Sequence, residues 1–102
     1  MEIKNFTADI DKFLDNLEKD TKSKVAQLFD MLEMFGSEIG MPYSKSLGNG
    51  LFELRISSKV SIRIIYCFHK NYVILLHAFI KKSDKIPKKE LDLAKRRQKN
   101  IE

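Results

Sequence analysis

The sequence has 102 residues, 43% of them hydrophobic, and a formal net charge of +5 at pH 7. This length predicts one domain over residues 1–102, and the single cysteine excludes an intramolecular disulfide and a cysteine-based zinc site. No apolar run approaches the ~18 residues that span a bilayer, and no signal-peptide pattern opens the chain, so we expect a soluble protein of the cytoplasm.

Two amphipathic helices are predicted near the amino terminus, after residues 2–6, which offer a short additional edge strand. Apolar residues recur at helical spacing over residues 8–18 and again over 21–35, with Asp20 as N-cap of the second helix and Gly36 as its stop. Both apolar stripes need burial. We therefore expect a helical hairpin lying across one face of a sheet.

Residues 37–50 contain the glycines and a proline typical of a loop. Gly48-Asn49-Gly50 matches neither common phosphate-binding glycine pattern. This segment is therefore interpreted as a loop that ends in a tight turn into the first strand of the sheet.

Residues 51–82 predict a three-stranded antiparallel meander. Three runs rich in β-branched and aromatic residues are separated by short polar breaks at 57–59 and 69–71. Arg55 and Arg63 lie within two strands and Lys81-Lys82 ends the third. An odd-length reversal around Ser58 places both arginines on one face, whereas a two-residue turn separates them, and we predict the shared face.

The last segment predicts a basic helix over residues 87–100, which begins at Pro87. Its apolar side is thin, because Leu91, Ala94 and Ile101 are surrounded by lysines and arginines. We interpret this helix as a solvated flank docked on a sheet edge. The fold class is thus α+β: a helical hairpin on a small antiparallel sheet, with a basic carboxy-terminal helix.

Charge is divided unevenly along the chain. Residues 1–40 carry −4 and residues 41–102 carry +9, which indicates either a surface for a polyanion or a solubilising face. His69 and His77 are not at metal-ligand spacing with carboxylates, and no cofactor motif is present. Phosphodiester chemistry on RNA without metal suits rigid cations best, because the 2′-hydroxyl is a built-in nucleophile.

The runs GLFELRI, IRIIY and ILLHAFIKK, followed by Lys85, Pro87 and ELDLAKRR and preceded by SKSLGNG, resemble the HigB-like, often phage-associated branch of the RelE/ParE toxin superfamily. The resemblance covers nearly the whole chain. It implies the toxin of a type II toxin–antitoxin pair that cleaves mRNA in the ribosomal A site without a cofactor. Its implied partners are the ribosome with its mRNA and a small helix-turn-helix antitoxin of the HigA type.

The resemblance also implies residue roles. Arg55 and Arg63 would contact the scissile phosphate, and Lys81 and Lys82 would stabilise the transition state. The tyrosine that RelE carries on its carboxy-terminal segment has no counterpart in residues 84–90. His77 is the candidate for proton transfer, although a core role is the alternative, and Tyr66 and Tyr43 are further candidates. Additional RNA contacts are expected from Lys45, Lys59, Lys85, Lys88 and Arg96.

Two other function classes remain open. A ParE-like member would inhibit gyrase, with the helical hairpin as its contact surface, and an inert RNA-binding or transcription-modulating domain would keep the fold without catalysis. The charge distribution adds an expectation about the antitoxin: it should cover the basic residues of the sheet and contact residues 81–102.

Overall fold

The computed structural model describes residues 1–101, which form three helices and five strands. In chain order these are β1 (Glu2–Asn5), α1 (Ala8–Asp15), α2 (Lys19–Phe35), β2 (Ser44–Gly48), β3 (Leu51–Ser57), β4 (Ser61–His69), β5 (Tyr72–Ile80) and α3 (Lys88–Lys99). A short 3-10 turn, Gly36–Glu38, follows α2.

The five strands form one mixed sheet in the order β1-β5-β4-β3-β2. The predicted meander is its centre, since β3 pairs antiparallel with β4 and β4 pairs antiparallel with β5. The predicted number of three strands was too low, because the sheet has five. The amino-terminal edge strand is confirmed as β1, which pairs parallel with β5, and part of the predicted loop is β2, which pairs antiparallel with β3.

Turn chemistry explains how the sheet is connected. Asn49-Gly50 and Lys70-Asn71 are two-residue turns in which both residues have positive φ, the geometry that matches the twist of a hairpin. Between β3 and β4 the loop has three residues, because Ser57 pairs with Ser61. That odd length is the reversal predicted from the arginines.

The helical hairpin packs on one face of the sheet, as predicted. Ile10 of α1 and Leu32 of α2 are buried against strand residues such as Leu54 and Ile64. Helix α1 ends earlier than predicted and α2 begins earlier, with Glu18 at the N-cap position, so the assignment of Asp20 as N-cap was wrong. Gly36 ends α2 with a φ of 55°, a conformation that favours glycine.

Helix α3 covers the opposite face, not a sheet edge as predicted. It packs over the interior strands β4 and β5, where Ala94 is fully buried with Ile65 and Leu76. A small residue such as alanine lets the helix approach the sheet closely, so a thin apolar side is sufficient for docking.

One of the basic residues of α3 anchors the helix to the sheet. The pairing of β4 with β5 is interrupted by a bulge, since Ile65 pairs with His77 and Tyr66 pairs with Leu75, which leaves Leu76 outside the ladder. Arg97 Nη1 donates a hydrogen bond of 2.7 Å to the Leu76 carbonyl oxygen. Arg97 Nη2 also lies 3.4 Å from Asp9 of α1.

We expect Arg97→Met to lower the free energy of unfolding by about 1 to 3 kcal/mol, because it leaves a carbonyl oxygen near the protein interior without its charged donor. Arg96→Met is the matched control, since Arg96 is exposed on the same helix. Urea denaturation of both variants measures the difference. Equal stability of the two would contradict the anchoring role of Arg97.

Candidate functional site

The two arginines of the candidate site lie on the α3 face of the sheet, in a row that runs across the strands. Arg55 of β3 pairs directly with Arg63 of β4, and Arg63 pairs with Phe79 of β5. Directly paired residues project to the same face, so the prediction that the two arginines share a face is confirmed. Helix α3 covers one part of this face, and the arginines occupy another.

Four predicted site residues line one open depression of about 410 Å³, which we call the cationic depression. It is lined by Arg55, Ser61, Arg63, Lys81, Lys82, Ser83 and Asp84. Lys81 is positioned by its backbone N–H, which donates a 2.8 Å hydrogen bond to the Ser61 carbonyl oxygen. Residues separated by 27 positions in the sequence thus form one positively charged surface.

A buried carboxylate lies beside the two arginines. The Oε1 atom of Glu53 is 3.8 Å from the Nε atoms of both Arg55 and Arg63. Glu53 is only 3% exposed. A single buried anion therefore balances part of the charge of two guanidinium groups and limits how far they can separate.

The two arginines differ in exposure. Arg63 is 6% exposed and donates from Nη1 to the carbonyl oxygen of its neighbour Ile62, at 2.9 Å. The side chain of Arg55 is 32% exposed. Burial lowers the pKa of the Arg63 guanidinium, Glu53 opposes that shift, and the charge of Arg55 adds to it. Arginine still remains charged at neutral pH, so the depression keeps its positive charge.

We expect Glu53→Gln to destabilise the fold by about 3 kcal/mol, because a buried cation loses its charge partner. Glu18→Gln is the matched control: Glu18 also pairs with a cation, Lys59 at 3.5 Å, but that pair is exposed to solvent. Thermal and urea unfolding of both variants measure the contrast. A loss no larger for Glu53→Gln than for Glu18→Gln would show that Glu53 does not hold the arginines.

His77 is on the same face but does not line the depression. Its Nε2 atom is 3.3 Å from Glu90 Oε2 of α3, and its ring stacks on Phe79 with centroids 5.5 Å apart. Its side chain is 12% exposed. The contact with Glu90 does not have hydrogen-bond geometry, so neither ring nitrogen has a hydrogen-bond partner within residues 1–101. His77 is therefore placed between the cationic depression and α3, one row from Arg63.

The two candidate tyrosines are in different environments. Tyr66 is fully buried on the hairpin face, and its hydroxyl lies 2.5 Å from Ser44 Oγ. Burial raises the pKa of Tyr66, which the hydrogen bond with Ser44 partly opposes. Because Tyr66 projects to the other side of the sheet, it is remote from the cationic depression.

Tyr43 is 41% exposed and lines a second cavity of about 380 Å³, which we call the side cleft. The cleft is formed between α2, the end of β3 and the segment that precedes β2. Arg55 lines both the side cleft and the cationic depression. The two cavities are therefore neighbours that share one cationic side chain.

The five further RNA-contact candidates are not gathered in either cavity. Lys45 pairs with Glu53 in the sheet register, which places it on the α3 face at the edge strand. Lys59 lies in the β3–β4 turn beside Glu18. Lys85, Lys88 and Arg96 are exposed in the segment that leads into α3 and on that helix.

Several residues of the site were not selected from the sequence. Ser61 and Ser83 bring hydroxyl groups to the cationic depression, and Asp84 is the only acidic residue that lines it among residues 1–101. Period-2 alternation was the available signal for Glu53 and Ser61, because each is two positions from an arginine on the same strand. Within residues 1–101, no group of three or more His, Cys, Asp or Glu side chains is placed to hold a metal.

The fold and site define a class: a small α+β protein in which a mixed sheet and the segment after its strand β5 hold a cluster of cations beside a carboxy-terminal helix. Residues 12–99 match the family described as Phage derived protein Gp49-like (DUF891), and the chain belongs to this family. The Gp49-like family is a RelE-like family associated with the toxins of toxin–antitoxin systems. A comparison with curated proteins finds no match. No helix within residues 1–101 is long and apolar enough to cross a membrane.

Proposed function

We propose that this protein is a HigB-like toxin that cleaves mRNA at the ribosome. The observation that carries the proposal is the cationic depression, where Arg55, Arg63, Lys81 and Lys82 line one open cavity. The guanidinium groups are fixed on β3 and β4, and Lys81 and Lys82 directly follow β5, which ends at Ile80 and not at the lysines as predicted. Cations held in this way need little reorganisation when negative charge grows on a phosphate. The Gp49-like membership supports the toxin class.

The proposed reaction uses the 2′-hydroxyl of the RNA itself. Its oxygen attacks the neighbouring phosphorus, the bond from phosphorus to the 5′-oxygen breaks, and a 2′,3′-cyclic phosphate and a 5′-hydroxyl are formed. One proton leaves the 2′-oxygen and one is delivered to the 5′-oxygen. The half-buried Arg55 and the exposed Lys82 would contact the phosphate first, and the buried Arg63 would stabilise its charge from the wall of the depression.

Proton transfer is the step for which the cationic depression has fewest candidates. Among residues 1–101, its lining includes neither a histidine nor a tyrosine. His77 lies one row away beside Glu90, and Tyr43 lies in the adjoining side cleft. We propose that the ribosome orients the mRNA for in-line attack and that the toxin contributes mainly charge stabilisation.

The partner proposed for the resting state is a HigA-like helix-turn-helix antitoxin. A cationic site is silenced most simply by a partner that covers it with acidic groups, because complementary charge speeds association and excludes RNA. Helix α3 can take part in that contact through its exposed basic residues, but Arg97 and Ala94 already belong to the fold. Deleting residues 95–102 would therefore disturb the fold as well as the basic surface.

Expression of the protein alone in bacteria tests the proposed function. We expect growth arrest accompanied by cleavage of translated mRNA, with DNA supercoiling unchanged. Relaxed DNA and intact mRNA would instead support the gyrase-inhibiting function of ParE-like toxins. Normal growth with abundant folded protein would favour an RNA-binding domain without catalysis.

A further inference from the structure

The side cleft is a cavity outside the cationic depression, in which the cleavage chemistry is proposed. Its walls combine apolar and polar side chains: Leu28 and Ile56 at the base, Pro42 and Tyr43 from the segment before β2, and Lys24 and Gln27 from α2. Its volume of about 380 Å³ is within the range of small-molecule sites. Such a lining suits a flat ring with apolar faces and a polar edge.

Tyr43 is the most suggestive residue of this cleft. Tyr43 is 41% exposed as a residue, whereas most aromatic residues of the sheet strands are buried or half-buried. An exposed aromatic ring beside a cation is the arrangement on which unpaired nucleobases stack in proteins that bind single strands.

The polar residues of the cleft offer groups for a base edge. Gln27 is exposed on α2, and its amide presents both a donor and an acceptor. Lys24 is held in place because its Nζ donates a 2.8 Å hydrogen bond to the Ser57 carbonyl oxygen. The rim of the cleft is thus partly ordered before any ligand binds.

Arg55 links the cleft to the phosphate site, since it lines both cavities. The base and the phosphate of one nucleotide are separated only by its sugar, so adjoining cavities suit the two ends of a nucleotide. We propose that the side cleft binds the nucleobase next to the phosphate held in the cationic depression, with Tyr43 as the stacking residue and Gln27 reading the base edge. This inference rests on the proposed function and names a specificity subsite for it.

The test measures RNA affinity separately from cleavage. Fluorescence anisotropy would compare the full-length protein with a labelled single-stranded RNA heptamer and with the same heptamer carrying abasic residues at its three central positions. We expect Tyr43→Ala to bind the normal heptamer about tenfold more weakly than the wild type. We expect Tyr43→Phe, which keeps the ring, to stay within about twofold of the wild type.

The abasic heptamer identifies the cause. The wild type should lose about tenfold in affinity when the bases are removed, and Tyr43→Ala should lose almost nothing more, because the two changes remove the same contact. Gln27→Ala should alter the ranking of heptamers that differ only in their central bases. Phe35→Ala is the matched control, since Phe35 is 49% exposed on α2 and does not line the cleft.

Two results would overturn the subsite. One is a folded Tyr43→Ala variant that binds the normal heptamer with the affinity of the wild type, which would indicate that the cleft binds a protein partner. The other is a loss of affinity, relative to the wild type, that is equally large when the Tyr43→Ala variant binds the normal and the abasic heptamer. Absence of ribosome-dependent cleavage by the wild type would overturn the proposed function instead, while the affinity pattern would still decide the subsite. Wild-type protein that binds neither heptamer would overturn the subsite, and the ribosome-dependent cleavage assay would still decide the proposed function.

Discussion

Replacing Arg63 with alanine is expected to slow mRNA cleavage about 100-fold and to relieve growth arrest, because removing one preorganised donor to a developing anion commonly has an effect of this size. Arg63 is held on β4 and lines the cationic depression, so its charge is in place before RNA binds. The measurement is growth after induction together with the rate at which ribosome-bound mRNA is cut.

The structure shows which controls this experiment needs. Arg63 is almost fully buried beside Glu53, so Arg63→Ala also removes one partner of a buried carboxylate. Arg55→Gln is the gentler variant, because the side chain of Arg55 is 32% exposed. Lys59→Ala should remain fully toxic, since Lys59 lies outside the depression in the β3–β4 turn. Full toxicity of a folded Arg55→Ala/Arg63→Ala double variant would contradict the mechanism.

The second large effect is expected from salt. If the four cations of the depression each neutralise one phosphate of single-stranded RNA, log K should fall against log salt with a slope of about −2.8. Raising monovalent salt from about 50 mM to about 200 mM should then weaken RNA binding about 50-fold. Titrations of a short RNA at four salt concentrations measure this slope.

Two variants test whether the salt dependence of RNA binding comes from the cationic depression. Arg55→Gln should make it shallower by about 0.7, the contribution of one contact to a single strand. Arg96→Gln changes the same charge on the exposed side of α3 and serves as its comparison. Equal changes in both variants would show diffuse attraction to the whole basic surface. A slope near zero would indicate a partner that is not a polyanion.

The sheet was predictable where side-chain patterns are strong. Clear turn signals separate the hydrophobic runs of β3, β4 and β5. The register between β3 and β4 was predicted from the arginines, since only a loop with an odd number of residues pairs Arg55 with Arg63. The same alternation separates Tyr66 from the site, because Tyr66 is three positions from Arg63 and projects to the opposite face. That parity was available from the sequence.

Strand β2 was missed because its pattern is weak. Its five residues are mostly exposed, and it follows a segment with glycine and proline. The dipeptide Asn49-Gly50 was the available signal, since it typically connects two strands of a hairpin and therefore requires a strand before it as well as after it.

The position of α3 depends on contacts that no local pattern reveals. In the sequence, Arg97 has the pattern of a solvent-exposed cation. In the structure it binds the carbonyl oxygen of Leu76, a residue that a bulge leaves outside the sheet ladder. The side cleft is similarly invisible in the sequence, because Gln27, Tyr43 and Arg55 come from three separate segments. Tertiary proximity, not spacing, creates both features.

The most direct test of the account is a reconstituted one. Purified ribosomes that hold a defined mRNA with an empty A site would be incubated with the protein, and the RNA ends would be mapped. We predict cleavage in the A-site codon that leaves a 2′,3′-cyclic phosphate, with no cleavage of the same mRNA without ribosomes and about 100-fold slower cleavage by Arg63→Ala. Intact mRNA after incubation with folded wild-type protein would contradict the account.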